Sequence, residues 1–183
     1  MSVSTFGTPV VNALNAITDG TNVATSGSAT IGGNLTVSGI GQTLIARKTA
    51  NETVNNSSVL QNDDDIVLTL VANGVYLFEM RLHYNSGLTP DFKFGWAFPT
   101  GLTMIFAGVA ADTAGGMIIP GGQIQTTVPA ICGAAADFTA FYTGIIVVGS
   151  TAGQLQLTWA QSTANGSNTS LNAGTYLKSL RIA

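Results

Sequence analysis

The residue best equipped for proton chemistry is His83, the single histidine of the chain. On an extended strand it shares a face with Glu79 and Arg81, because side chains two apart point the same way. A Glu-Arg-His ladder could move protons. There is no second histidine and no nucleophile motif beside it, so the ladder reads as a surface or intersubunit polar cluster. No catalytic residue is assigned, and an enzyme is not expected. The run Asp63-Asp64-Asp65 offers oxygen ligands for a hard cation such as calcium. It lacks the spaced ligands of a dedicated loop, and Asn/Asp runs commonly make turns, so Asn62-Asp63-Asp64 reads as a turn between strands. No metal and no cofactor are expected. Cys132, the only cysteine, sits among Ala130, Ile131, Gly133 and Ala134 and reads as a small buried hydrophobe. Gly39-Ile-Gly41 lacks the further glycine and helix of a nucleotide site. Asn34-Leu-Thr36, Asn51-Glu-Thr53 and Asn165-Gly-Ser167 match glycosylation acceptors, but in a chain this rich in those residues they read as compositional accident. Trp96, Phe98 and Phe106 would stack sugars if exposed, although core packing is the default for such side chains on alternating strands.

The background to these residues is a chain with very little charge. Only 8% of its 183 residues are charged, against 45% hydrophobic, and the formal net charge is −3. Typical soluble domains carry roughly 25% charged residues. Disorder needs the opposite balance, so the surface must be built from Thr, Ser, Asn, Gln and Gly, part of it buried against neighbours. The basic residues Arg47, Lys48, Arg81, Lys93, Lys178 and Arg181 are scattered, which gives no footprint for nucleic acid. No stretch is long and apolar enough for a membrane helix. The opening Met-Ser-Val-Ser-Thr-Phe has neither the basic region nor the apolar core of a signal peptide, so synthesis in a cytoplasm is expected.

The elements that must position these residues are strands. Residues 137–149 are too rich in β-branched and aromatic residues for a comfortable helix. As a strand they place Phe138, Ala140, Tyr142, Gly144, Ile146 and Val148 on one face, and Thr139, Phe141, Thr143, Ile145 and Val147 on the other. Both faces are largely apolar, while a sandwich strand normally leaves one face to water. Another copy of the chain is the expected cover, which makes Phe141, Ile145 and Val147 candidate interface residues. Further strands are expected near 43–48, 57–61, 66–72, 74–84, 92–98, 103–108, 117–119, 124–128, 153–161 and 174–182, separated by Gly- and Asn-rich turns. Strand 74–84 alternates cleanly, with Tyr76, Phe78, Met80, Leu82 and Tyr84 inward and Val75, Leu77, Glu79, Arg81 and His83 outward. Strand 153–161 puts Leu155, Leu157 and Trp159 inward and Gln154, Gln156 and Thr158 outward. The spacing is that of an all-β antiparallel sandwich or jelly roll.

Before residue 42 the character changes. Thr8-Pro9 is a helix start, with Val10, Ala13, Leu14 and Ile17 at helical spacing and Asp19-Gly20 as the stop; an ordered loop fits these residues equally. Either way so short an apolar face must dock on something, so residues 1–28 read as an anchor segment with Val10, Leu14 and Ile17 as its contacts. Residues 29–41 read as a β-rich neck or a plain hairpin linker, and 42–183 as a head domain.

Ala29-Thr-Ile-Gly-Gly-Asn-Leu-Thr-Val-Ser-Gly39 resembles one unit of the Gly-Asn-Leu-Thr-Val repeats in the shafts and necks of bacteriophage fibre and spike proteins, where three chains intertwine. A second resemblance runs from residue 57 to the end. It is carried by Val59-Leu-Gln-Asn-Asp-Asp-Asp-Ile-Val-Leu68, Gly74-Val-Tyr-Leu-Phe-Glu79, Phe94-Gly-Trp-Ala-Phe-Pro99, Leu157-Thr-Trp-Ala-Gln161 and Ala173-Gly-Thr-Tyr-Leu-Lys-Ser-Leu-Arg-Ile182. Together these look like the head domain of small virion structural proteins in tailed phages of actinobacteria, with a general plan similar to trimeric jelly rolls of the tumour-necrosis-factor type. The resemblance implies a homotrimer at the virion surface, either a capsid decoration or short head fibre held through its N-terminus on the major capsid or another virion protein. The alternative is a tail-associated fibre module that binds a host cell-surface glycan. Fold alone does not decide between them.

Overall fold

The computed structural model describes residues 37–87, 89–111, 117–118, 122–133 and 136–183. The anchor segment with Val10, Leu14 and Ile17, and the neck up to residue 36, lie outside the described residues. Thirteen strands are described, in the order β1 (Thr43–Arg47), β2 (Glu52–Val54), β3 (Gln61–Leu70), β4 (Val75–Ser86), β5 (Phe92–Ala97), β6 (Thr103–Ala111), β7 (Met117–Ile118), β8 (Gln123–Ile124), β9 (Ala130–Ile131), β10 (Ala136–Val147), β11 (Gly153–Gln161), β12 (Thr169–Leu171) and β13 (Tyr176–Arg181). The larger sheet runs β1-β13-β4-β10-β6-β7. In it β12 pairs with both β2 and β4, and β8 pairs with β6. The smaller sheet runs β3-β11-β5-β9. The pairings are antiparallel and join strands distant in sequence, as the chain crosses repeatedly from one sheet to the other. This is the all-β sandwich or jelly-roll class that the turn spacing predicts.

The core follows the period-two pattern. Tyr76, Phe78, Met80, Leu82 and Tyr84 of β4 are buried, as are Ala140, Tyr142 and Ile146 of β10. Leu155, Leu157 and Trp159 face them from the smaller sheet, with Phe92, Phe94 and Trp96 of β5. Aromatic rings bridge the two layers: Phe94 meets Tyr142 edge-on at 4.9 Å between centroids, and Phe78 meets Trp96 at 6.1 Å. Such pairs add to the area they remove from water. Trp96 and Phe106 are therefore core residues, and Phe98 packs half-buried against them. The two central strands close on each other through a reciprocal pairing, Tyr142 opposite Gly108 and Phe106 opposite Gly144. A methyl group on either glycine would overlap a backbone oxygen of the neighbouring strand, Phe141 O or Ile105 O. The Tyr142 ring lies over Gly108, and Cα and Cβ of Phe106 lie against Gly144, in space that a side chain at either glycine would need.

Three expectations are corrected. Residues 57–60 are not a strand, and β2, β9 and β12 are strands of two or three residues that no periodicity announces. Asn62-Asp63-Asp64 is not a turn between strands but part of β3. There Val67 pairs with Gln156 and Asn62 with Thr158, so the residues between them form a bulge opposite Leu157. Thr158 is not solvent-facing. It is buried beside Gly95, whose outer side is closed by Leu60 and Val128.

Candidate interaction face and a buried ion cluster

The outward positions of β4, β10, β6, β13 and β8 line up across the larger sheet. Leu180 pairs with Leu77, Leu77 with Ile145, Ile145 with Ile105, and Ile105 with Ile124. Cross-strand neighbours on one face lie about 5 Å apart, so these five side chains form an unbroken apolar row over five strands. Their exposures are 38% for Leu180, 46% for Leu77, 37% for Ile145, 61% for Ile105 and 49% for Ile124. Val147 is exposed on one side of the row and Phe141 lies further along β10 on the other. Shallow depressions on this face run between Leu77, Thr143 and Leu180, and between Ile105, Gly144 and Ile145.

Polarity rises along the strands away from this row. The next row carries Ile45, Lys178, Glu79, Thr143 and Ala107. Lys178 Nζ stands 3.6 Å from Glu79 Oε1, both half-exposed. The Thr143 hydroxyl donates to Phe78 O at 2.9 Å, so it needs no water. One row further on, the Arg81 guanidinium lies over the Phe141 ring at 5.7 Å, a cation–π contact. His83 ends the series. Its Nδ1 is 3.2 Å from Ala173 O and its Nε2 is 3.8 Å from Asp137 Oδ2. Glu79, Arg81 and His83 do share a face, as read from the sequence, but each turns to a different partner and the three do not converge.

The candidate interface residues Phe141, Ile145 and Val147 fall on this outer face, and their own chain leaves them 52%, 37% and 42% exposed. The sequence pattern marked β10 alone. The flanking contributions of Leu77, Leu180, Ile105 and Ile124 were missed because they come from four other strands. Only the strand register brings them together.

A second cluster lies at the other side of the molecule's logic, inside the fold. Lys48 and Asp63 are 2% and 0% exposed. Lys48 Nζ is 2.7 Å from Asp63 Oδ2 and 2.7 Å from Glu52 Oε2, with Asp65 Oδ2 at 3.9 Å. Asp63 Oδ1 accepts the backbone N–H groups of Asp65 at 3.0 Å and Ile66 at 2.7 Å, which holds the β3 bulge shut. Glu52 Oε1 accepts from Gln61 Nε2 at 2.9 Å, and Gln156 Nε2 donates to Asp63 O at 2.8 Å. Burial pulls the Lys48 pKa down, but hydrogen bonds to Asp63 and Glu52 outweigh it and leave it above the ordinary lysine value. Burial pushes the Glu52 carboxyl up, against the pull of Lys48.

The acidic run thus meets a lysine of the same chain, and among the described residues no group of three or more His, Cys, Asp or Glu side chains is placed to hold a metal ion. The sequence carried one signal of this cluster. Lys48 continues the inward alternation of Leu44 and Ala46, and an inward lysine in a chain so poor in charge requires a buried acid. Cys132 is buried, with its thiol 3.2 Å from Gly133 O.

No protein-family model matches the sequence, and no curated protein does. Among solved structures the chain is similar to the tripod from the baseplate of bacteriophage Tuc2009, at 16% identity over 93% of this chain and 87% of that one, with a TM-score of 0.28. It is also similar to the structure of infectious bursal disease virus Gt strain, at 10% identity over 78% of this chain and 38% of that one, with a TM-score of 0.20.

Proposed function

We propose that the chain is a virion structural protein of a tailed phage, working as a homotrimer whose heads meet through the outer face of the larger sheet. The observation that supports this reading is the apolar row from Leu180 to Ile124, left in water by the single chain. Aligned apolar exposure across five strands is more than the scattered surface hydrophobes of a monomer. Its partner is most simply another copy of the chain, the faces of three copies gathering about a threefold axis, since closed symmetric assemblies are the usual form of self-association. Resemblance to phage fibre necks and head domains favours three copies, and a capsid decoration or short head fibre held through residues 1–28. The role is structural rather than catalytic, with the major capsid or another virion protein as the attachment partner.

Ile145 stands at the centre of the row and is solvent-facing in the single chain, so a charge there leaves the protomer core intact. Purified protein should give the mass of a trimer by light scattering at micromolar concentration. Ile145→Lys should give a folded monomer with an unchanged β-type circular dichroism spectrum. A monomeric native protein would sink the proposal. Immunogold labelling of intact particles then places the protein, and label confined to the tail tip would favour the host-glycan module over decoration.

A further inference from the structure

We propose that the buried cluster is the site of a self-made covalent cross-link, an amide between Lys48 Nζ and Asp63 Cγ, with Glu52 as its proton-transfer catalyst. This inference stands independently of the virion reading. It grows from the placement of three side chains that an ion pair alone does not require. A surface lysine would satisfy one carboxylate, whereas this one is sealed from water between two, each at 2.7 Å. The amine and its electrophile are held in contact by the fold, the situation in which intramolecular reactions gain most.

The step balances without an outside reagent. Glu52 Oε2 accepts a proton from the Lys48 ammonium and passes it to Asp63 Oδ2, and the freed lone pair attacks Cγ of the now uncharged carboxyl. Negative charge then gathers on Asp63 Oδ1. That atom already accepts two backbone N–H groups, from Asp65 and Ile66, which act as an oxyanion hole. Oδ2, the oxygen hydrogen-bonded to Lys48, thus receives two protons in all from the amine by way of Glu52 and leaves as water. An ammonium and a carboxylate become an amide and one water, and Glu52 is regenerated. Gln61, donating to the other Glu52 oxygen, holds the catalyst in place. The raised Glu52 pKa suits a group that must take up and return protons. Burial also excludes the water that would reverse the reaction.

The bond would join the end of β1, in the larger sheet, to β3 in the smaller one, across 15 positions of sequence. It would tie together the two layers where the chain leaves β1.

Mass spectrometry of the denatured full-length protein tests it. The expected mass is one water below that of the sequence, with proteolysis yielding a branched peptide that joins the Lys48 and Asp63 segments. Glu52→Gln should keep the fold, judged by circular dichroism, and should regain the full mass. Should that variant fail to fold, Asp63→Asn gives a second test, since the same attack would expel ammonia and yield a product identical in mass to the reacted native chain. Alkaline melts provide an orthogonal readout. A bare ion pair, whose lysine pKa is raised in the fold, stabilises fully below the ordinary lysine value and is lost as pH rises through the folded one. An amide shows no such loss. Native protein at full sequence mass, or a water loss that maps elsewhere, overturns the proposal. A Glu52→Gln chain that cross-links as fast as native overturns the role given to Glu52.

Discussion

Gln154 and Gln156 stand two residues apart on β11, and the fold uses them differently. Gln154 is exposed, and the alternation that placed both outward holds for it. Gln156 is half-buried and donates from Nε2 to Asp63 O at 2.8 Å, where the β3 bulge turns a carbonyl away from the ladder. A bulge removes ladder bonds and its backbone groups need other partners. Gln156→Ala is therefore expected to cost about 1 kcal/mol, the usual net value of such a bond with some penalty for the orphaned carbonyl. Gln154→Ala should stay within about 0.5 kcal/mol. Urea melts of the two variants check this, and equal effects would show that the contact contributes nothing. Sequence alone gave both glutamines the same outward role, because nothing in their neighbourhood shows that Asn62-Asp63-Asp64-Asp65 is a bulge rather than a turn. The information lies 15 positions back, in Lys48, the cation that meets Asp63.

Long strands with strict alternation were legible, and short strands and insertions were not. The inward faces of β4 and β11 read correctly because each carries large apolar residues at every second position, a pattern that only one register can bury. β2, β9 and β12 have two or three residues each, too few for any period, and form where a neighbour leaves an edge free: β12 on β4, β2 on β12, and β9 on β5. The apolar row is an intermediate case. Its β10 part was legible as a strand apolar on both faces, but its full width depends on register between strands distant in sequence. The most secure consequence at this scale concerns the shared core of β4 and β11. Phe78 and Trp159 are buried, and Phe78 sits among the rings of Trp96 and Phe106. Truncating either to alanine should cost about 3–5 kcal/mol through lost contacts and a residual cavity. Association stabilises only the folded form and would mask part of the loss, so the melts must share one protein concentration. A cost below about 1 kcal/mol at both positions would mean that the sandwich core lies elsewhere.

For the whole molecule, the question is what residues 1–28 contribute. The described core is drawn from Ala46 to Leu177, and no side chain before Ala46 belongs to its buried set. The chain is tied to the sandwich by backbone bonds as early as Gly41, whose N–H donates to Arg181 O at 2.8 Å, while Arg181 N–H donates to Gln42 O. Arg181 also reaches Ser38 O through its guanidinium at 3.3 Å. The segment just before β1 is thus fastened to the last strand, and the head has its own means of closing without residues further upstream. Residues 1–28 contain Val10, Leu14 and Ile17, apolar side chains at helical spacing in a stretch too short to bury them alone. The expectation is a division of labour, with the head trimerising through its outer sheet face and the N-terminal segment attaching to the particle. A chain lacking residues 1–28 should therefore keep its circular dichroism spectrum, its melting temperature within a few degrees at matched concentration, and its trimer mass. It should fail to bind particles that lack the native protein, while the full chain restores decoration. If the truncated chain still decorates such particles, attachment belongs to the head. If it becomes monomeric instead, the N-terminal segment holds the trimer together and the apolar row on β4, β10 and β6 serves some other partner.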